Sequence, residues 1–344
     1  LQNNRLHITL FTLLGLALLV FFFANISLGA VKIPLTDVLQ SLTGSEASKT
    51  SWQYIIINYR LPKAITALLA GIGLSIGGLL MQTLFRNPLA GPDVLGLNSG
   101  ASLGVAFVIL ASGMLPVALA GVFLSAYGIV LASVAGSFIV LLAILAVAQR
   151  LRDTMAILII GLMFTSFTGA IVGVLTYFST AEQLQKYTFW ALGSLGNLPW
   201  NNIVLLALVV LMGLIMAAVT LKPLDALLLG ERYAKSMGIN FNRTRFVIIL
   251  ATSLLTGCIT AFAGPIAFVG LVVPHMAKLL FKTSSHNVLF WATLLIGSVL
   301  MLLCDIFTQL PGSSFVLPIN AITSIIGAPV VIGLLLNRHK GIFN

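Results

Sequence analysis

The chain has 344 residues, of which 59% are apolar and only 8% charged, and its 18 lysines and arginines against 8 aspartates and glutamates give a formal charge of +10. Ordinary globular domains are roughly 45–50% apolar and about 25% charged. So few charges exclude a soluble globular surface, intrinsic disorder and a disulfide-stapled secreted domain. A bilayer-spanning helix takes about 20 apolar residues, so the apolar content suffices for roughly ten. The expected fold is an all-α polytopic membrane protein forming a single transmembrane domain over 1–344. A β-barrel does not fit, because the apolar runs are continuous rather than alternating.

In chain order the first span is expected at 8–30. It is longer than a signal-peptide core and no A-x-A site follows, so it reads as an uncleaved span. A hydrophilic segment covers 32–60, in which Pro34 to Leu42 has the pattern of a short amphipathic helix. Further spans are expected at 61–84, 98–112, 115–148 and 154–178, the third of these long enough to tilt or to carry an interfacial piece. The segment 179–202 is hydrophilic and holds Trp190 and Trp200, residue types that favour the membrane interface. The remaining spans are expected at 203–221, 246–262, 266–281, 288–306 and 319–336, with the inner loop 222–245 between the first two.

Ten spans put both ends on one side. With the ends inside, the outer basic residues are Lys32, Lys49, Arg60, Lys63 and Lys186, and the other thirteen of the 18 are inside. The positive-inside bias therefore places both termini in the cytoplasm. Basic residues spread over short loops do not make a nucleic-acid surface, and none is expected.

Chemistry-bearing motifs are scarce. There is no H-E-x-x-H, C-x-x-C or G-x-S-x-G, and no G-x-x-x-x-G-K-[ST] to cradle a nucleotide. No catalytic residue, no metal site and no enzyme activity are expected. Cys258 and Cys304 lie inside apolar runs and read as small hydrophobic residues. Gly73 with Gly77, Gly96 with Gly100 and Gly104, and Gly169 with Gly173 have the four-residue spacing that lets helix backbones approach. Two ionisable residues fall at membrane depth. Asp305 reads as a helix-end hydrogen bond or ion pair, with a proton-coupling carboxylate as the alternative, and His275 as a satisfied polar group near the inner interface.

Broken helices are more telling. NPLAGPDVLGLNSG (87–100) and AGPIAFVGLVVPH (263–275) share A-G-P followed by G-L, 173 residues apart. The first follows a span at the inner side and the second at the outer side, as an inverted internal repeat requires. A translocation path is expected between the halves, beside Asn87, Pro88, Leu89, Gly91, Pro92, Leu95 and Gly96 and beside Gly264, Pro265, Val269 and Gly270. With no nucleotide site, a pump must be pushed by another chain. Glu231 to Met237, between Gly230 and Gly238, reads as a short helix with Tyr233 and Met237 on one face, suited to a groove on a soluble partner.

At these residues the chain resembles the FecCD-type permeases of bacterial ABC importers for iron–siderophores, heme and cobalamin. The likeness covers roughly 30–336. It is carried by Arg60-Leu61-Pro62-Lys63, MQTLFRNPLAGPDVLGLNSGA (81–101), WALGSLGNLPW (190–200), LGERYAKSMGIN (229–240), and AGPIAFVGLVVPHMAKLL (263–280) with LPINAITSIIGAP (317–329). The resemblance implies ten helices, a second permease subunit (a homodimer) lining one path, and two ATP-binding subunits beneath. A periplasmic or lipid-anchored substrate-binding protein delivers the chelate. ATP and Mg belong to the partner ATPase, so this chain needs no cofactor. The coupling residues would be Leu229, Gly230, Glu231, Arg232, Tyr233, Ala234, Lys235, Ser236, Met237 and Gly238. The binding-protein dock would use Arg60, Lys63 and Gln309, the last where many relatives carry Arg, and the periplasmic gate Trp190, Gly193 and Gly196. The implied location is the bacterial inner membrane and the leading substrate an iron–siderophore, with heme and cobalamin open. The rival reading is an ion-coupled secondary transporter working without an ATPase.

Overall fold

The computed structural model describes residues 2–29, 31–45, 47–114, 121–148, 154–196, 198–228, 236–309 and 315–340. Among them every regular element is helical and there is no strand. The helices are α1 (Gln2–Ser27), α2 (Leu35–Leu42), α3 (Thr50–Leu84), α4 (Leu97–Leu110), α5 (Ala126–Ala148), α6 (Thr154–Phe178), α7 (Ala181–Leu192), α8 (Trp200–Val219), α9 (Leu221–Leu228), α10 (Phe241–Ala263), α11 (Val269–Phe281), α12 (His286–Thr308) and α13 (Ile319–Lys340). Seven of them, α1, α3, α5, α6, α8, α10 and α12, are long and apolar enough to cross a membrane. Three shorter apolar helices, Leu97–Leu110, Val269–Phe281 and Ile319–Gly333, complete the set.

Among the described residues each expected segment holds an apolar helix, seven of them of spanning length. The helix expected from residue 61 begins at Thr50 and runs 35 residues, passing through a π turn at Ile56–Arg60. The end of the segment read as hydrophilic, from Thr50 to Arg60, is therefore helical, because Trp52, Ile55, Ile56 and Ile57 supply an apolar side that packs on the bundle. Of the helix expected over 115–148, residues 115–120 lie outside the described ones and α5 covers Ala126–Ala148. The segment 179–202 holds a helix, α7, that hydropathy does not show. Its signal is local: Thr180 caps Gln183 N–H while the Gln183 side chain accepts from Thr180 N–H, a capping box. The short helix expected near Pro34 is present as α2.

α3 is the axis. Its residues Ala64, Ala67, Ala70, Gly71, Gly73, Gly77 and Gly78 are small and buried, and it packs on α12, α10, α11 and α8. A Cβ on Gly71 would strike the Gly297 carbonyl of α12, and one on Gly73 the Ile259 side chain of α10. The spacing of Gly96, Gly100 and Gly104 works in the same way, since a Cβ on Gly100 would lie 2.6 Å from the Gly136 carbonyl of α5. In an apolar solvent, helices associate through such close contacts rather than by escaping water. Gly169 and Gly173 differ, having nothing within 4 Å. They lie on α6, which exposes Leu162, Met163, Phe167 and Tyr177. Cys258 and Cys304 are buried free thiols within helix interfaces.

Candidate functional site

The two broken segments meet. After α3 the chain turns through 85–96, where Asn87 Oδ1 accepts from Leu89 N–H at 3.0 Å and Leu97 N–H donates to Pro92 O at 2.8 Å. Gly96 ends the turn in the left-handed region, at φ 75°. After α10 the chain turns through 264–268, with Gly264 at φ 75° and Phe268 at φ 69°. Glycine takes that region freely. Phenylalanine does not, so its conformation is held by its surroundings.

Three polar side chains tie the segments together. Asp93 Oδ2 accepts from Phe268 N–H at 3.0 Å, Asn98 Nδ2 donates to Ile266 O at 3.0 Å and Gln82 Nε2 donates to Leu271 O at 2.9 Å. Asp93 thus places a carboxylate at the start of α11, where the helix dipole favours it. None of the three stood out in the sequence, because a single Asp, Asn or Gln has no periodic signature and its partner lies far along the chain. Pro92 packs against both Gly77 and Gly270, and Leu95 and Val269 are fully enclosed.

Asp93→Ala leaves the Phe268 N–H unpaired and is expected to cost about 1–3 kcal/mol. Asp93→Asn keeps an acceptor without a charge. Asp93→Asn is therefore expected to cost less than Asp93→Ala in thermal melts.

Two of the expected gate residues, Trp190 and Gly193, pack against one end of this junction. Gly193 sits at φ 78°, and Ser194 N–H donates to Ala263 O at 3.0 Å. Trp190 Nε1 donates to Ala261 O at 2.9 Å, and a Cβ on Gly264 would strike the Trp190 carbonyl. Gly196 instead borders an open pocket of about 310 Å³ that also brings together Arg60, Lys63 and Gln309. Two of these three are engaged inward. The Arg60 guanidinium donates to Ile26 O and Ser27 O, each at 2.8 Å, and to Val31 O, capping the end of α1. Lys63 Nζ lies 3.1 Å from Asp305 Oδ1, which is 2% exposed. Asn25 and Thr308 also donate to Asp305, so the ion-pair reading of that residue holds. His275 lines a second cavity with Lys278 and Arg86. Of the expected coupling residues, Leu229 to Lys235 lie outside the described residues. Ser236, Met237 and Gly238 lead into α10, with Met237 exposed and Gly238 at φ 79°.

A family model described as the FecCD transport family matches residues 17–337. The chain belongs to this family. It is 36% identical over 290 residues to the vitamin B12 import system permease protein BtuC of Vibrio parahaemolyticus, covering 83% of this chain and 84% of that protein. It is 30% identical over 329 residues to the hemin transport system permease protein HmuU of Yersinia pestis, covering 95% and 96%. A solved inward-facing structure assigned to the metal-chelate type of ABC transporter superposes with a TM-score of 0.79 at 27% identity, covering 96% of this chain and 99% of that one. As a FecCD member the chain is a multi-pass membrane permease subunit of an ABC importer, a transport role in which the ATPase is a separate subunit. The self-powered secondary transporter finds no support in these relatives.

Proposed function

We propose that this permease carries an enclosed metal chelate across the bacterial inner membrane by ATP-driven alternating access. The observation that carries the reading is the junction of segments 85–96 and 264–268. It is backbone broken at depth, braced by amide and carboxylate side chains, and it offers no cluster of charge to hold a naked ion. A chelate whose own donors already hold the metal needs only an apolar, adaptable passage. Relatives named for vitamin B12 and hemin support the same substrate class, with a ferric siderophore the third member.

Ten spans, an inverted repeat and two cytoplasmic ends complete the proposal. In support, a long helix, a Gly/Pro break and a short helix occur twice in the same order, as α3–α4 and α10–α11. A second copy of the chain would cover α6, where open Gly169 and Gly173 lie on a helix exposing much of its apolar surface. Two ATP-binding subunits would dock on 229–238, and a substrate-binding protein on the end bearing Arg60, Lys63 and Gln309. The test is uptake into vesicles holding the permease with its ATPase and binding protein, offered cyanocobalamin, hemin and a ferric hydroxamate in turn. ATP-dependent uptake of one, indifferent to a protonophore, is expected. Uptake that collapses with the protonophore and survives ATP depletion would sink the reading.

Because Arg60 and Lys63 spend their charge on carbonyls and on Asp305, the dock is short of outward positive charge. Gln309→Arg is expected to tighten binding of the substrate-binding protein a few-fold at low ionic strength, the gain fading at high salt. Surface plasmon resonance at two salt concentrations measures it. No gain at low salt would mean that the binding protein does not meet this end.

A further inference from the structure

At the end expected to face the cytoplasm, three elements are joined by a chain of side chains that neither the path nor the dock uses. Asp225 lies on α9, the short helix that runs directly into the coupling segment. Its Oδ1 accepts from the backbone N–H of His286 at 2.8 Å and from the ring Nδ1–H at 2.6 Å. His286 opens α12, and Ser285 before it provides no side-chain cap. Asp225 therefore caps α12 from 61 residues away, satisfying a donor that the helix start leaves open and placing negative charge at the favourable pole. The other ring nitrogen, Nε2, lies 2.8 Å from Thr83 Oγ1 in the last turn of α3. His286 is 1% exposed, so its ring is held at both nitrogens and its walls leave it no room to turn.

A second contact runs the opposite way. Arg86, just past α3 and at φ 48°, donates from Nη2 to the Leu227 carbonyl at 2.7 Å. Leu227 lies in the last described turn of α9. The left-handed conformation of Arg86 is unfavourable for a residue with a side chain, and this contact helps to offset it. Leu224 and Leu227 seat the rest of α9 in the bundle.

The placement gives the joint its meaning. Leu228 adjoins the coupling segment in sequence, and Arg86 adjoins Asn87, the first residue of the broken segment. α9 precedes 229–238 in sequence and is hydrogen-bonded to the start of α12 and to Arg86 just past α3. The 85–96 turn follows, and Asp93 links it to α11. We propose that Asp225, His286 and Thr83, with Arg86 on Leu227, are positioning residues that carry the partner's ATP-driven movement from the coupling segment into the broken segments. This rests on the reading of the chain as an ATPase-driven permease.

The test uses the permease assembled with its ATPase in nanodiscs. Deuterium uptake of 87–96 is compared without nucleotide and after trapping with ATP and vanadate. In the wild type, trapping should change that uptake. Thr83→Val keeps the shape and loses the bond to His286, and Asp225→Asn and Arg86→Gln weaken the other links. Each is expected to shrink the change at least about threefold, within the range for residues on a coupling route, while the trapped nucleotide per complex stays constant. A merely structural role would not separate those two readouts. If the change persists in all three variants, or is lost only together with ATPase binding, the joint is not the route. If the wild-type complex traps no nucleotide, the permease reading itself fails and the joint with it.

Discussion

Gly78→Val is expected to destroy the packed bundle. A Cβ at that position would fall on the backbone carbonyl of Gly270 at the start of α11. Neither helix has room to withdraw. A Cβ on Gly270 would in turn lie 2.8 Å from both Leu74 O and Pro92 Cδ, and α3 is held from other directions by α12 and α10. Overpacking against flexible side chains costs about 1–3 kcal/mol. Here the obstacle is backbone, so the loss should reach the top of that range or pass it. Thermal unfolding of the detergent-purified protein measures it, and Gly169→Val is the control. With nothing within 4 Å of Gly169, that change should leave the subunit within about 0.5 kcal/mol of wild type while weakening association with a second copy. An unchanged unfolding midpoint for Gly78→Val would show that α3 and α11 do not pack as described.

Lys63→Met should cost nearly as much. Its ammonium is the counter-charge of the enclosed Asp305 carboxylate, and removing one partner of a buried pair costs about 3–5 kcal/mol because the other charge is left unpaired. Lys63 is 17% exposed, and Asn25 and Thr308 still donate to the carboxylate, so the lower end of that range applies. Replacing both partners, Lys63→Met with Asp305→Leu, should recover most of the loss, since a well-packed apolar pair is often no worse than a buried ion pair. A double-mutant cycle read by thermal unfolding isolates the coupling. If Lys63→Met lowers affinity for the binding protein and leaves stability untouched, Lys63 serves the dock and not the fold.

Much of the architecture was readable because spanning a membrane is a local constraint. Each helix must satisfy its own backbone groups, so its length and composition announce it. The seven long apolar helices were legible for that reason, and the two A-G-P breaks because Gly and Pro interrupt so conspicuous a pattern. Arg60, Lys63 and Gln309, grouped only by the family resemblance, line one pocket. The start of α3 at Thr50 and the whole of α7 escaped, since both are less apolar than a spanning segment. Only the capping box of α7 gave it away.

Which face each helix buries was not readable. α1 and α6 are as hydrophobic as α3, yet α3 is enclosed while the other two present most of their surface outward. Lipid tails and protein interiors are alike in polarity, so hydropathy does not distinguish them, and the choice falls to small residues and close backbone contact. The polar ties were hidden for a related reason. Asp93 with Phe268, Lys63 with Asp305, and Asp225 with His286 join residues 61 to 242 positions apart. Sequence alone determined that this chain is a bundle of apolar helices broken at two matching places. Tertiary structure decided that the breaks touch and that single polar side chains brace them, because a hydrogen bond is specified by where two groups end up and not by the pattern of either segment.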